Sequence, residues 1–235
     1  DKPTSLGILP GTVEATVVVK PEPAAVEAAL AADEEIGTII CEVSGANYGS
    51  VPLPEGFLPE LRRLADAHNA VLVFDEVITG FRWSPGGRQA RDGVTPDLTS
   101  MAKIVTGGMP GGAVGGREDF MRLLDPQVEF RGRTPGVTHK GTFNGNPLVA
   151  ASGVAALSEI KTGEPNKLAD HAAERLRTGM REVIQQHQVA GAVYGESSTF
   201  HLYLGDDAAN GSVENLGAEK IRGVPKPVIN AMQSG

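Results

Sequence analysis

Cysteine occurs once, at Cys41, so no internal disulfide is possible and a reducing, cytoplasmic setting is expected. Aromatic residues make up only 5% of the 235 residues, too few for a base-stacking platform. Basic residues are outnumbered: 21 Lys and Arg against 29 Asp and Glu leave a net charge of -8. That balance argues against nucleic-acid and anionic-membrane partners, both of which need clustered cations. No apolar run is long enough to span a bilayer, and no signal peptide is legible. The first residues, DKPTSLG, lack an initiating methionine, so a processed or partial chain is expected. The five histidines (His68, His139, His171, His187 and His201) are dispersed without ligand spacing, so no metal is expected. The glycines over 107–116 match neither a Walker A loop nor a dinucleotide fingerprint.

What is present is an alternation. At 40% hydrophobic and 21% charged, the composition is that of an ordinary globular protein. VEATVVV (13–19) reads as a strand and PAAVEAALAADEE (23–35) as a helix with Pro23 in its first turn. GTIICEV (37–43) reads as a short buried strand, and LPELRRLADAHN (58–69) as an amphipathic helix whose Arg62, Arg63 and His68 form a solvated face. AVLVFDEV (70–77) is a near-continuous apolar run ending in acids, as expected of a central parallel strand. LTSMAKIV and GGAVGG are shorter strand-like pieces, and HLYLG (201–205) is another. NPLVAASGVAALSEIKT (146–162) and NKLADHAAERLRTGMREVIQQHQ (166–188) read as helices. Residues 84–95 and 125–145 read as long loops, and the chain from Asp206 on as loop or fraying. The alternation predicts an α/β fold with a mainly parallel sheet flanked by helices, and functional groups at the carboxyl ends of its strands.

Three stretches offer chemistry. In FDEVITGF (74–81), Asp75 ends an apolar strand, either as a turn cap or as a carboxylate awaiting a partner. Lys103 lies in SMAKIVTGGMPGGAVGG (100–116) among apolar neighbours. It either snorkels to solvent or is a desolvated amine able to form a Schiff base with a carbonyl. In KGTFNGNPLVA (140–150), Asn146 is placed to cap a helix, while Thr142 and free N–H groups at the helix start suit a phosphate. An acid, a lysine and a phosphate site together suit pyridoxal 5'-phosphate, whose ring nitrogen, aldehyde and phosphate need those three partners. Arg82, Arg88 and Arg91 either are solvated or grip a substrate carboxylate. Cys41 reads as buried and inert.

FDEVITGFR, GVTPDLTSMAKIVTGGMPGGAVGG and GTFNGNPL, in that order, resemble the signatures of class III (fold type I) pyridoxal-phosphate aminotransferases. The pattern is most similar to the glutamate-1-semialdehyde 2,1-aminomutase branch, over roughly residues 13–200. The resemblance implies an enzyme that moves an amino group of an amino acid or amine, by transamination or within one molecule. A racemase of the same fold and an inactive fragment or paralogue acting as a binding partner are the alternatives. It implies Lys103 as the Schiff-base lysine and proton shuttle, Asp75 on the pyridinium nitrogen and Val77 against the ring. Asn47, in CEVSGANYG, would lie near the phenolic oxygen, with Glu42 a buried structural acid. Thr142 would reach the phosphate of a neighbouring subunit's cofactor, which implies a homodimer with shared active sites. Gly80, Gly107, Gly108 and Gly112 would allow close backbone approach. Family members are longer, so a partial chain is expected: a cofactor-binding large domain over 1–188 and the start of a C-terminal small domain over 189–235.

Overall fold

Two sheets and their helices make up the fold, described here by a computed structural model for residues 5–205 and residue 208. In chain order the elements are α1 (Pro10–Glu14), α2 (Pro23–Ala32), β1 (Thr38–Glu42), α3 (Ala46–Gly49), β2 (Val51–Pro52) and α4 (Phe57–Ala67). β3 (Val71–Glu76), α5 (Gly87–Asp92), β4 (Leu98–Ala102), β5 (Gly112–Gly116) and α6 (Glu118–Met121) follow. The last are α7 (Pro147–Ile160), α8 (Glu164–Gln186), β6 (Gly191–Tyr194) and β7 (His201–Leu204). The larger sheet runs β1-β3-β4-β5, with β1, β3 and β4 parallel and β5 antiparallel to β4. β6 and β7 form a separate antiparallel pair. The reading of the chain end from Asp206 on lies outside the described residues, apart from Ala208.

β3 is the central parallel strand that its composition predicts. Leu72, Phe74 and Glu76 are buried on one face while Val71, Val73 and Asp75 are only partly covered on the other. The period of two assigns these faces. α4 and α2 cover the first face, where Leu58, Leu61, Leu64, Ala65, Val26 and Leu30 close on Leu72 and Phe74. The second face has no covering layer among the described residues, and Ile40 is 71% and Val114 57% exposed there. The expectation of a buried strand over 37–43 is thus half right: Ile39 and Cys41 pack on the core while Ile40 faces outward.

Three further expectations change. Residues 13–19 do not form a strand. Pro10 opens a one-turn helix that consumes Val13 and Glu14, and Val17 and Val18 beyond it are exposed with no ladder partner among the described residues. The loop over 84–95 contains α5, which Gly93 ends in a left-handed conformation (φ 68°). Arg62 is not on a solvated face. It reaches across to Asp97, which is buried at the turn leading into β4.

Asp97 joins three elements. Its Oδ2 accepts from the Leu72 N–H of β3 at 2.7 Å and from Arg62 of α4 at 2.9 Å, and its Oδ1 accepts from Arg117, just past β5, at 2.9 Å. Burial alone would raise its pKa; the Leu72 N–H and the two guanidinium groups outweigh it and hold the carboxyl below its ordinary value.

α7 lies directly against the turn that follows β4. Gly153 presents no side chain to Val105 O, which a Cβ would approach to 2.6 Å, and Ser152 Oγ donates to Gly107 O at 3.1 Å. Asn146 caps α7 as expected, accepting from Leu148 N and Val149 N.

Two stability outcomes follow from these contacts. Asp97→Ala leaves the buried Leu72 N–H without its acceptor and takes one of two carboxylate partners from Arg62 and from Arg117, which keep Asp66 and Asp119, and should lower the unfolding free energy by roughly 1–3 kcal/mol in urea titration at neutral pH. Because the folded pKa is lowered, the carboxylate's contribution is complete above its ordinary value of 3.8 and is lost as pH falls through the lowered one. The acid limb of the wild-type stability profile should therefore be steeper than that of the variant. Gly153→Ala should be a net loss by the same measurement, although alanine gains about 1 kcal/mol of helix propensity over glycine.

Candidate active site

Asp75 lies where β3 ends. The pairing register sets Glu42, Asp75, Ser100 and Val114 in one row across the sheet, on its open face. The chain turns at once: Val77 N–H donates to Asp75 Oδ1 at 2.9 Å. Oδ2 has no hydrogen bond among the described residues, so half of this carboxylate is available. Val77 is half-buried beside it.

Its neighbour Glu76 points to the other face and is fully buried. Glu76 Oε2 accepts from Thr79 Oγ1 at 2.7 Å and Arg88 N at 2.8 Å; Oε1 accepts from Gln89 N at 3.0 Å and Gln89 Nε2 at 3.2 Å. Gly87 has φ 73° and backs onto this carboxylate so closely that a Cβ would meet Oε2 at 2.6 Å. Glu76 thereby ties the 79–89 segment to the end of β3. Asn166 Nδ2, from α8, holds the same segment by donating to Phe81 O and Arg82 O. Neither residue is singled out by the sequence reading. The available signal for Glu76 is its alternation with Leu72 and Phe74, which puts an acid on the core face.

Lys103 follows the last residue of β4 and starts a 3₁₀ turn over Lys103–Thr106. Its φ is +55°, a left-handed conformation that costs a non-glycine residue roughly 1 kcal/mol or more. Contacts from both sides hold it. Thr106 Oγ1 lies 3.0 Å from Lys103 O and 2.5 Å from Met109 O, and α7 packs on the turn through Gly107 and Gly153. The apolar neighbours Ile104 and Val105 are half-buried, but Lys103 is exposed and its ammonium has no ion pair or hydrogen bond among the described residues. The enclosure that the apolar run suggests is therefore not supplied by these residues, because the backbone reverses at Lys103 instead of continuing β4. Asp75 and Lys103 still emerge at the carboxyl ends of adjacent parallel strands.

Glu42 is half-buried. Its Oε1 accepts from Tyr48 N at 2.5 Å, which fixes a turn in which Asn47 (φ 52°, ψ 57°) and Tyr48 (φ 49°, ψ 36°) are both left-handed. Burial pushes the Glu42 carboxyl above its ordinary value; the Tyr48 N–H opposes the rise and the Asp75 charge adds to it. Asn47 is exposed at the tip of this turn. Thr142 is also exposed, in the turn before α7, and no contact within the chain joins it to Asp75 or Lys103 among the described residues. Gly80 and Gly112 do sit against backbone, at Glu76 O and Met101 O; Gly107 lies against Ser152 O. Gly108 meets nothing within 4 Å.

Of the three arginines, Arg88 pairs with Asp92 and stacks on Trp83 at 4.3 Å, and Arg91 pairs with Glu196 at 3.2 Å. Both are committed within the chain. Arg82 spends only Nε, on Ile78 O. Burial, with the Glu42 charge adding, pushes the Cys41 thiol up to about 12, so it is not a nucleophile at neutral pH. No group of His, Cys, Asp and Glu suited to a metal occurs among the described residues, and no helix among them is long and apolar enough to cross a membrane.

Comparison with known proteins adds a second line of observation. The sequence is 40% identical over 190 residues to the glutamate-1-semialdehyde 2,1-aminomutase of Ignicoccus hospitalis, covering 80% of this chain and 42% of that protein. The fold superposes on an ω-transaminase from Sphaerobacter thermophilus with a TM-score of 0.79 and 33% identity, covering 93% of this chain and 49% of the other. It also superposes on a transaminase with PLP bound, with a TM-score of 0.75 and 30% identity, covering 84% and 46%. The chain thus spans about half the length of the proteins it matches. The sequence model of the family described as Aminotransferase class-III matches residues 14–215, and the chain belongs to that family.

Proposed function

We propose that this chain carries the lysine and the acid of a pyridoxal-phosphate enzyme that moves an amino group of an amino acid or amine. The observation that carries the reading is the placement of Asp75 and Lys103 at the carboxyl ends of neighbouring parallel strands. The donor set fits the cofactor: a carboxylate with one open oxygen and an amine without a partner, side by side at the strand ends. When bound, the cofactor supplies an aldehyde and a ring that draws electrons from the substrate's Cα.

The roles of this chain's residues follow from their chemistry. Lys103 Nζ is the nucleophile for the aldehyde and the base that moves the Cα proton. Asp75 Oδ2 holds a proton on the ring nitrogen, and a charged partner there is worth far more in a dry site than in water. Val77 packs on the ring, and Asn47 donates to the phenolic oxygen. Thr142 is exposed in the turn before α7, which supports its reaching the phosphate in a second subunit of a homodimer. Exposure of Lys103 supports the same view, because a second subunit would supply its enclosure. The division into a cofactor-binding part over 1–188 and a second part from 189 is supported by the separate β6–β7 pair. A cytoplasmic setting rests on the single, unreactive cysteine.

Transaminase and aminomutase chemistry share these residues. The aminomutase reading draws on the Ignicoccus hospitalis relative, and the transaminase reading on the matching structures. The two differ in whether turnover needs an external keto acid.

The test begins with the purified chain and added pyridoxal phosphate. A near-visible absorption band should appear, and borohydride should fix the cofactor onto the peptide carrying Lys103. Label scattered over surface lysines, or no band, would refute cofactor binding by this chain. In an active holoenzyme, Asp75→Asn should cut kcat about a hundredfold or more at unchanged folding, as loss of one charge-stabilising partner does.

A further inference from the structure

The turn that carries Asn47 is gripped from a part of the chain more than a hundred residues away. Tyr48 O lies 3.2 Å from His201 Nε2, and Ser50 Oγ lies 3.4 Å from His201 Nδ1. The imidazole stacks on Tyr48, with ring centroids 5.6 Å apart, and packs at a tilt on Tyr194 at 5.3 Å. Tyr194 OH donates to Ser50 O at 2.6 Å. β6 and β7 thus present two side chains from one pair, Tyr194↔His201, to one turn. On its other side, the turn is bonded by Glu42 and closed by the bridges Gly45↔Pro52 and Ala46↔Val51. The grip matters because Asn47 and Tyr48 are both left-handed without being glycine, which persists only where surroundings over-determine the backbone. Burial pushes the imidazole pKa below its ordinary value, with the Tyr48 carbonyl opposing; since a carbonyl only accepts, it is Nε2 that donates to Tyr48 O.

We propose that His201 is a positioning residue: with Tyr194 it locks the Asn47–Tyr48 turn, so that the β6–β7 pair sets where Asn47 stands. The role given to Asn47 rests on the cofactor reading above; the lock itself does not. Any movement of the β6–β7 pair relative to β1 would be transmitted to Asn47 through the imidazole.

Hydrogen exchange on the full chain without cofactor tests the lock. His201→Ala should speed exchange of the amides over 46–50 roughly fivefold, the worth of about one net hydrogen bond, with β3 and β4 unchanged. His201→Gln, which keeps a donor for Tyr48 O, should restore the wild-type rate, and Tyr194→Phe should speed the same amides. Unchanged exchange over 46–50, or a rise shared by β3 and β4, would overturn the proposal. The dissociation constant for pyridoxal phosphate, read from absorbance, then tests the positioning. His201→Ala and Asn47→Ala should each weaken binding roughly fivefold, and the double variant should be no weaker than Asn47→Ala alone. Additive losses would show that His201 does not act through Asn47. If the wild-type chain binds no pyridoxal phosphate, the cofactor reading fails, while the exchange data still decide the lock.

Discussion

Consecutive side chains on a strand point to opposite faces, and at the end of β3 this rule separates two adjacent carboxylates. Asp75 goes to the open face and keeps one oxygen free. Glu76 goes to the core face and accepts four hydrogen bonds. The two acids have opposite duties because a single peptide bond divides solvent side from core side. An acid buried like Glu76 is tolerable only when its lone pairs are filled, and the segment that fills them is the one that turns back past the site. The available oxygen of Asp75 therefore depends on the saturated pair beside it.

The lysine is placed by a different kind of contact. Among the described residues nothing grips its ammonium; its backbone is fixed instead. Gly107 and Gly153 let α7 approach the turn after β4 at distances that a methyl group would block, and the Thr106 hydroxyl closes the turn from inside. Since Asn146 caps that same helix, the turn bearing Thr142 and the turn bearing Lys103 are attached to one rigid body.

Much of this was legible in the sequence. The apolar run of β3 announced a central strand, and its terminal acids announced functional groups, because an apolar run leaves charge no place but its end. The helices α4, α7 and α8 were visible in their periodicity and in Pro147 and Asn146. What was illegible is what depends on distant partners. Val17 to Val19 have strand propensity but no neighbour to pair with among the described residues, and propensity alone makes no ladder. Arg62 looks like any helix-surface arginine until Asp97 is brought beside it by the β3–β4 connection. Lys103 was identified from its setting, yet the local apolar pattern misjudged its exposure, since a left-handed residue ends a strand without changing composition. His201 carried no local signal at all; its partners are in the 46–50 turn.

The bare face of the larger sheet has a consequence for the physical state of the chain. β1 pairs only with β3 and β5 only with β4 among the described residues, so both rims present unpaired peptide groups beside exposed Ile40 and Val114. Open rims beside exposed apolar residues are a template for further strands, and self-association would follow their geometry. Opposing this is the net charge of -8, whose mutual repulsion between copies reaches only about 10 Å at 0.1 M salt. Colloidal behaviour is thus governed by ionic strength: dilute buffer keeps copies apart, and added salt removes the one long-range force that does so.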